Sequence, residues 1–292
     1  MIEAVPHLEI IGPGRAGLAL GSLLVEAGAI GRLTCTGRRA APPDHPLFRG
    51  SPPLASYRES ASARDFVPDA VVIAVPDAAI RAVAAGLAGE ELPADTPVLH
   101  LSGALGSNEL DSLASRGYPT GSLHPLAVLA DDADTSRLCG GWFAVEGAPA
   151  AATVARLFVT AMQGRILPVD GENKALYHAS AVAASNFVVT LLAVAERWMV
   201  DAGVPRGDAR PALAALAAGA VESVRRLGPE DALTGPVARG DVDTVQRHLA
   251  QLSPPDRLLY SVLASSTITL ARRRGLDPHA AGELARLLET TE

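Results

Sequence analysis

The first half of the chain alternates short apolar runs with segments of helical spacing. Runs rich in Leu, Ile and Val predict strands at residues 8–11, 32–36, 70–75, 97–101, 120–123, 142–145 and 165–169. Apolar positions three and four apart predict helices over 16–27 and 77–87. This alternation predicts an α/β domain with a doubly wound, mostly parallel sheet covered on both faces. The proline-rich stretch 40–69 is predicted to be a surface connection with one short strand or helix.

The strand pattern stops after Gly171. Helical patterns cover 173–200, 208–227, 241–252, 255–274 and 278–288, with Asp208 and Asp241 as predicted N-caps. We therefore expect an α/β domain over 1–170 and an all-helical domain over 171–292. The most apolar stretch, 179–195, is interrupted by Ser, Asn and Thr and is shorter than the ~20 residues that cross a bilayer. It is predicted to be a buried helix of a soluble protein.

A glycine-rich turn follows the first predicted strand. The sequence GPGRAG matches GxGxxG at the point where a strand gives way to a helix. The first glycine permits a tight turn, the second lets the backbone approach a pyrophosphate, and the third lets the helix pack on the strand. The pattern predicts a dinucleotide site, with a purely structural turn as the alternative. Its residues are Gly12, Gly14, Arg15, Ala16 and Gly17.

The end of the second predicted strand bears on the choice of cofactor. NAD-selecting folds place an acid there to bind the ribose 2′-hydroxyl, whereas this chain has Gly37, Arg38 and Arg39. Two guanidiniums suit a 2′-phosphate, so the sequence favours NADP over NAD. The alternative is that both arginines are solvated loop charges.

Composition narrows the class of protein. The net charge of −7 argues against a nucleic-acid or anionic-membrane binder, and 292 residues suit two domains. The two cysteines form no CxxC and the first residues resemble no signal peptide, so we expect a cytoplasmic protein. None of the seven histidines has HxxxH spacing, which gives no support for a metal site. No GxSxG is present, which removes the simplest serine-hydrolase hypothesis.

Several motifs together resemble a known superfamily. GPGRAG, AVPDAAI at 74–80, HLSGA at 100–104 and SLHPL at 122–126 occur in the order found in 6-phosphogluconate dehydrogenase, 3-hydroxyisobutyrate dehydrogenase and pyrroline-5-carboxylate reductase. KALYHASAVAASN at 174–186 and LTGPVARGD at 233–241 resemble a bacterial branch described as Rossmann-like NADP oxidoreductases with a C-terminal helical domain of unknown function. The resemblance spans essentially the whole chain.

The resemblance implies a fold, an assembly and site residues. It implies a Rossmann domain, a helical domain with a long central helix, a homodimer and a site in the cleft between the domains. Val75, Pro76 and Asp77 would run along the cofactor, and Ser102 and Gly103 would lie near the nicotinamide. In the superfamily's dehydrogenases the central helix begins with a lysine and carries an asparagine four residues later. This chain has Lys174 but His178 at the second position, which makes a standard hydroxyacid substrate doubtful.

Three side chains are candidates for the chemistry. Lys174 and His178 lie one helical turn apart and can reach one ligand. A lysine with a lowered pKa can protonate the atom formed when hydride reaches a carbonyl or imine carbon, and an imidazole can share that task or orient the substrate. His124, at a strand end, could face the nicotinamide. The alternatives are a solvated helix-start lysine, a core histidine and a strand-end histidine bonded to backbone.

Substrate-binding candidates lie in the predicted helical domain. Arg239 and Thr234 sit on an inter-helix turn, where an arginine would suit a carboxylate or phosphate, with a salt bridge as the alternative. Asn186 would reach only an extended ligand and otherwise serves a helix or subunit contact. The expected function is an NADP(H)-dependent oxidoreductase that transfers hydride to or from a small anionic carbonyl, hydroxyl or imine compound. The alternatives are hydride exchange with a deazaflavin coenzyme and a non-catalytic NADP(H)-binding sensor.

Overall fold

The computed structural model describes residues 4–60, 62, 64–129 and 135–289. The chain divides into two compact units, Met1–Val188 and Val189–Glu292. Strands end and helices take over near residue 170, where the sequence places the domain boundary, yet the first compact unit continues through one further helix. The reason is local, because the first residue of that helix, Lys174, bonds to residues of the sheet.

Among the described residues, eight strands form one sheet in the order β3-β2-β1-β4-β5-β6-β7-β8. Every neighbouring pair is parallel except β6 and β7, which run antiparallel. The predicted mostly parallel, doubly wound α/β fold is therefore confirmed. The strands are β1 Val5–Ile11, β2 Ile30–Gly37, β3 Ser56–Glu59, β4 Ala70–Ile73, β5 Val98–His100, β6 Thr120–Pro125, β7 Trp142–Gly147 and β8 Arg165–Pro168.

The strand order reverses between β1 and β4. Ile11 at the end of β1 pairs with Ile73 at the end of β4, and with Thr36 of β2 on its other side. The loops that follow β1, β2, β4 and β5 therefore leave the sheet at the same edge. In open α/β sheets, ligands bind at this edge beside the reversal.

Helices cover the sheet in the first unit. They are α1 Arg15–Glu26, α2 Asp77–Ala88, α3 Asp111–Ala114, α4 Pro149–Ala161 and α5 Lys174–Ala184, with short 3-10 turns at Pro46–Phe48, Ser107–Leu110 and Gly171–Asn173. Two apolar cores result. One joins α1 and α4 to the sheet through residues such as Leu8, Leu20 and Phe143, and the other packs α2 and α3 on β4 and β5.

The remaining helices are α6 Asn186–Asp201, α7 Arg206–Leu227, α8 Pro229–Ala232, α9 Pro236–Arg239, α10 Val242–Gln251, α11 Pro254–Arg273 and α12 Pro278–Glu289. Their core centres on Val245, Ile268 and Leu284. The predicted N-cap Asp241 is confirmed, because its carboxylate accepts a hydrogen bond from the Thr244 N–H at 3.0 Å. The predicted cap at Asp208 is wrong. Helix α7 begins earlier, at Arg206, and Asp208 lies in its first turn.

The predicted helix over 173–200 is divided in two. Ser185 interrupts it with φ −127° and ψ −74°, and its hydroxyl donates to the Ala181 carbonyl at 2.6 Å. The stretch 179–195, predicted as a buried helix, is not covered within this chain, since no residue of α6 is buried. By length and composition alone, with a mean hydropathy of 1.6, Gly171–Asp201 would be long and apolar enough to cross a membrane. That is weak evidence for a span, because the ammonium of Lys174 in its first turns is bonded to the sheet.

Candidate active site

The glycine turn after β1 adopts the geometry that its spacing predicts. Gly12 has φ +102°, and a β-carbon there would lie 2.7 Å from the Ala74 carbonyl oxygen. A β-carbon on Gly17 would lie 2.7 Å from the Gly12 oxygen and 3.1 Å from a methyl of Ile10, so this glycine lets α1 pack on the sheet. Nothing lies within 4 Å of a β-carbon on Gly14. The backbone at Gly14 is therefore open to a ligand.

A cavity of about 780 Å³ lies along this edge of the sheet. It joins the glycine turn to the loops after β2 and β4, and its wall also includes Tyr57 and Arg58 of β3. Of the predicted cofactor residues, the cavity is lined by Gly12, Gly14, Gly37, Arg38, Arg39, Val75 and Pro76. The remaining predicted cofactor residues, Arg15, Ala16, Gly17, Asp77, Ser102 and Gly103, do not line it.

The arginine end of the cavity is held by a buried ion network that the sequence reasoning missed. Glu9, fully buried in β1, accepts a hydrogen bond from Thr36 at 2.6 Å and pairs with Arg58 at 3.2 Å and Arg64 at 2.8 Å. The Tyr57 hydroxyl donates to the Arg39 carbonyl at 2.7 Å. The loop that carries the two predicted arginines is thus tied to β3, while their side chains stay exposed.

The loop after β5 is fixed by its own side chains. His100 accepts from the Ser102 N–H through Nδ1 at 3.1 Å, so its Nε2–H is the group that donates to the Gly106 carbonyl at 3.0 Å. The Ser102 hydroxyl accepts from the N–H groups of Ala104 and Leu105. These bonds give His100 a structural role and hold Gly103 in place.

Lys174, the first residue of α5, is fully buried. Its Nζ donates to the Ser102 carbonyl at 2.7 Å and to the Ser122 hydroxyl at 2.7 Å. Burial lowers the pKa of this ammonium to about 8, against the opposing effects of Glu146 and Asp77. It is also the only lysine in the sequence, beside 24 arginines.

Glu146 of β7 completes this network and has no signal in the sequence motifs. It accepts from the Ser122 hydroxyl at 2.9 Å and from the Ser107 N–H and hydroxyl at 2.7 Å and 2.9 Å. Lys174, Ser122 and Glu146 therefore form one chain of hydrogen bonds beneath the Ser102–Gly103 loop.

Three rings surround Gly103. A β-carbon at Gly103 would lie 2.6 Å from Nε2 of His124 and 2.7 Å from Nδ1 of His178. The Tyr177 hydroxyl lies 2.9 Å from Nδ1 of His124. Burial, with Lys174 and His178 adding to it, lowers the pKa of His124 to about 4, and burial raises the pKa of Tyr177 to about 12. Both groups are therefore uncharged at neutral pH.

The structure brings Lys174, His178 and His124 together around Gly103. All three lie within the Met1–Val188 unit. Thr234 and Arg239 lie in the second unit, both exposed, and Arg239 makes a long ion pair with Asp241 at 3.9 Å. Asn186 is exposed at the start of α6. Within the described ranges, no group of three or more His, Cys, Asp or Glu side chains could hold a metal ion.

One family model matches the middle of the chain. Residues 141–267 match DUF2520, a domain of unknown function. Both C-terminal motifs of the sequence lie within this stretch. No curated protein sequence matches the chain.

Solved structures resemble the chain over nearly its whole length. Protein TM1727 from Thermotoga maritima is 21% identical, with a TM-score of 0.70. BF3122 from Bacteroides fragilis is 19% identical, with a TM-score of 0.72, and is provisionally named an NADP oxidoreductase. Each match covers 91% of this chain and 98% of the other. A pyrroline-5-carboxylate reductase from Coxiella burnetii is 12% identical, with a TM-score of 0.60 and 99% of both chains covered. The fold that the sequence resemblance implies is thus confirmed.

Proposed function

We propose that the chain is an NADP(H)-dependent oxidoreductase that transfers hydride to or from a small carbonyl, hydroxyl or imine compound. One observation carries the proposal: a single cavity joins the open backbone at Gly14 to two exposed arginines at the end of β2. Backbone N–H groups at the start of α1 suit a pyrophosphate, and the guanidiniums suit a 2′-phosphate. The relatives named for NADP, BF3122 among them, support the same cofactor.

The polar cluster around Gly103 supports hydride transfer rather than a non-catalytic NADP(H)-binding sensor. Bound NADPH supplies a hydride to an electrophilic carbon. The chain must then hold the substrate beside the nicotinamide and handle one proton. Lys174, His178 and His124 are the groups proposed for these tasks, at the loop that follows β5.

The substrate is proposed to carry an anionic group, which Arg239 and Thr234 would bind. The guanidinium of Arg239 is 65% exposed, and its ion pair is too long for a strong hydrogen bond, so it remains available to a carboxylate or phosphate. Arg239→Ala is then expected to raise KM for an anionic substrate and to leave NADPH affinity unchanged.

The proposal is tested by cofactor-dependent thermal shifts. At ~100 times its dissociation constant a ligand stabilises the folded state by ~2.7 kcal/mol, which is a visible shift. We expect a larger shift with NADPH than with NADH, and loss of that preference in the Arg38→Ala/Arg39→Ala double variant.

The matched control is the Arg225→Ala/Arg226→Ala double variant. It removes two adjacent, exposed arginines at the end of α7, far along the chain from the glycine turn. We expect it to keep the preference for NADPH. Equal shifts with both nucleotides in the wild type, or the same loss in both double variants, would refute the assignment of the cofactor. If NADPH binds but neither carbonyl, imine nor deazaflavin acceptors oxidise it, the sensor alternative replaces the enzyme.

A further inference from the structure

We propose that Nε2 of His124 and Nδ1 of His178 together hold one oxygen atom of the substrate, and that His178 exchanges the proton with it. The inference rests on the proposed hydride transfer and narrows its substrate class to carbonyl compounds and the corresponding alcohols. It assigns Lys174 to positioning rather than to the transfer of the proton.

The two nitrogens approach the same point beside Gly103. Each lies within 2.7 Å of the place where a β-carbon on that residue would be, so only glycine allows both rings to come this close. The two nitrogens are thus no farther apart than the sum of 2.6 Å and 2.7 Å. A single oxygen ~2.8 Å from each can bridge them only on the side that faces away from the Gly103 Cα, because the β-carbon position itself lies within bonding distance of that atom.

A buried, unpaired nitrogen of His178 indicates that a ligand binds at this point. Its Nδ1 is buried and has no hydrogen-bond partner among the described residues. Buried polar atoms in native proteins are almost always paired, and an exception needs a reason. A substrate oxygen at this point would supply the missing partner.

The Tyr177 hydroxyl sets the tautomer of His124. Burial keeps the Tyr177 phenol protonated, and in this proposal it donates its hydrogen to Nδ1 of His124, 2.9 Å away. Once Nδ1 accepts, the neutral ring carries its proton on Nε2. His124 thus presents an N–H donor at the point beside Gly103.

The Lys174 ammonium is directed elsewhere. Its side chain is fully buried, and two of its three N–H donors are used by Ser102 and Ser122. Donation of the third N–H to a substrate would require this fully buried ammonium to become accessible. The effect of the two bonds is to hold the Ser102–Gly103 loop against the two rings, which is a positioning role.

The proton balance of the step is simple. In reduction, the carbonyl carbon gains the hydride of NADPH, which brings both electrons, and the carbonyl oxygen takes the proton from Nδ1 of a protonated His178. The product hydroxyl then donates to the vacated Nδ1 and accepts from Nε2–H of His124. Solvent returns a proton to His178. Oxidation of an alcohol is the reverse.

The donor on His124 discriminates between substrate classes. A carbonyl oxygen and a hydroxyl oxygen both accept the Nε2–H hydrogen bond. A protonated imine nitrogen has no lone pair and would place its N–H against that donor. The pair of rings therefore favours C=O over C=N.

The first test reads the two rings directly by NMR of ¹⁵N-histidine-labelled protein. Two-bond couplings report the tautomer of each of the seven histidines, and His124→Gln and His178→Gln assign the signals. We expect His124 as the Nε2–H form, and we expect cyclopentanol added to the NADP⁺-loaded protein to shift His124 Nε2 and His178 Nδ1 together. A His124 in the Nδ1–H form, or no shift at either nitrogen, would overturn the inference.

The chain offers a matched control for this experiment. His248 and Tyr260 form the same pair, with Nδ1 2.9 Å from the hydroxyl and the rings at 82°, against 87° for His124 and Tyr177. They lie outside the cluster around Gly103. We expect cyclopentanol to leave His248 unchanged, and Tyr177→Phe but not Tyr260→Phe to disturb the His124 tautomer.

The second test compares cyclopentanone with 1-pyrroline, which share a five-membered ring and differ in the reacting atom. We expect NADPH oxidation with the ketone to exceed that with the imine. His178→Gln should lower kcat by ~100-fold, and added imidazole should restore part of it to His178→Ala. A faster imine, or normal kcat in His178→Gln, would overturn the inference while the proposed function stands.

If neither compound oxidises NADPH, the NMR experiment alone decides whether His124 and His178 bind the oxygen. Loss of NADPH binding itself would instead refute the proposed function, so the two failures are distinguishable.

Discussion

At the scale of single residues, the fully buried lysine is the most informative feature of the site. An ammonium is compact and has three donors, whereas a guanidinium is a wide fork with five. The space beside Ser102 and Ser122 offers two acceptors to Lys174. An arginine there would leave buried donors unpaired, so Lys174→Arg is not a conservative exchange in a chain otherwise built with arginine.

Titration of Lys174 is the first prediction at this scale. Labelling with ¹⁵N-lysine gives one side-chain signal, because the sequence has one lysine, and we expect its midpoint near pH 8 rather than 10.5. Between these values the unfolded chain binds more protons than the folded chain, so Lys174 makes stability rise with pH in that window. Urea unfolding at pH 8 and at pH 10 should show the rise in the wild type and lose it in Lys174→Met. A midpoint near 10.5 would contradict the burial argument.

The sequence predicted the site residues that lie in motifs or at strand ends. It did not predict the residues whose role depends on a hydrogen-bond partner far away in the chain. The glycine turn, the two arginines and the candidates His124, Lys174 and His178 were all predicted. Ser122 and Glu146 were not, because their partners lie 24 to 52 residues away in the chain. Glu9 did leave a signal, since a carboxylate inside an apolar strand requires buried partners.

At the scale of elements, strong apolar runs predicted seven of the strands to within a few residues. Strand β3 was anticipated only as a short strand or helix somewhere within 40–69, because SYRE is short and polar. Its place at the sheet edge follows from register with β2. Helix α4 was missed, although Pro149 at its first turn and its alanine-rich sequence favour a helix. The division of the long helix at Ser185 has no counterpart in the apolar pattern, which continues through it.

We expect the ion pairs of Glu9 with Arg58 and Arg64 to stabilise the packing of β1, β2 and β3. Glu9→Gln leaves Arg58 and Arg64 without their buried counter-charge, and their side chains are only 10% and 8% exposed. Breaking a buried pair in this way costs ~3 kcal/mol. We expect urea unfolding to show a loss of that size, whereas Glu222→Gln, which breaks an exposed pair with Arg225, should have little effect. Equal stability of the two variants would show that the network contributes nothing.

At the scale of the whole molecule, much apolar surface in the helical half has no cover within the chain. Of the 22 residues of α7, only Ala209 is buried, and α6 has none. Apolar side chains exposed in such number are typical of an interaction surface. The exposed large residues there include Leu176, Phe187, Val189, Leu216, Val221, Val224, Leu227, Leu258, Val262 and Leu263.

The homodimer therefore stays a prediction with a defined surface. Light scattering at micromolar concentration should give twice the 30.0 kDa of one chain. Leu216→Arg/Val221→Arg should give monomer, because two charges would be buried against the partner. Leu54→Arg/Val67→Arg changes two equally exposed residues of the first unit and should leave the dimer intact. A monomeric wild type would contradict the prediction.

The antiparallel pairing of β6 and β7 has a consequence for how this molecule can be taken apart. The stretch that matches DUF2520 starts at residue 141, so its boundary runs between these two strands and through a continuous ladder from Gly121–Gly147 to Pro125–Phe143. The same boundary separates Glu146, Lys174 and His178 from Ser102, Gly103 and His124. A fragment cut there would expose the bare edge of β7 and tend to aggregate. The matched stretch alone therefore lacks the strand that pairs with β7 and half of the side chains that form the cluster around Gly103.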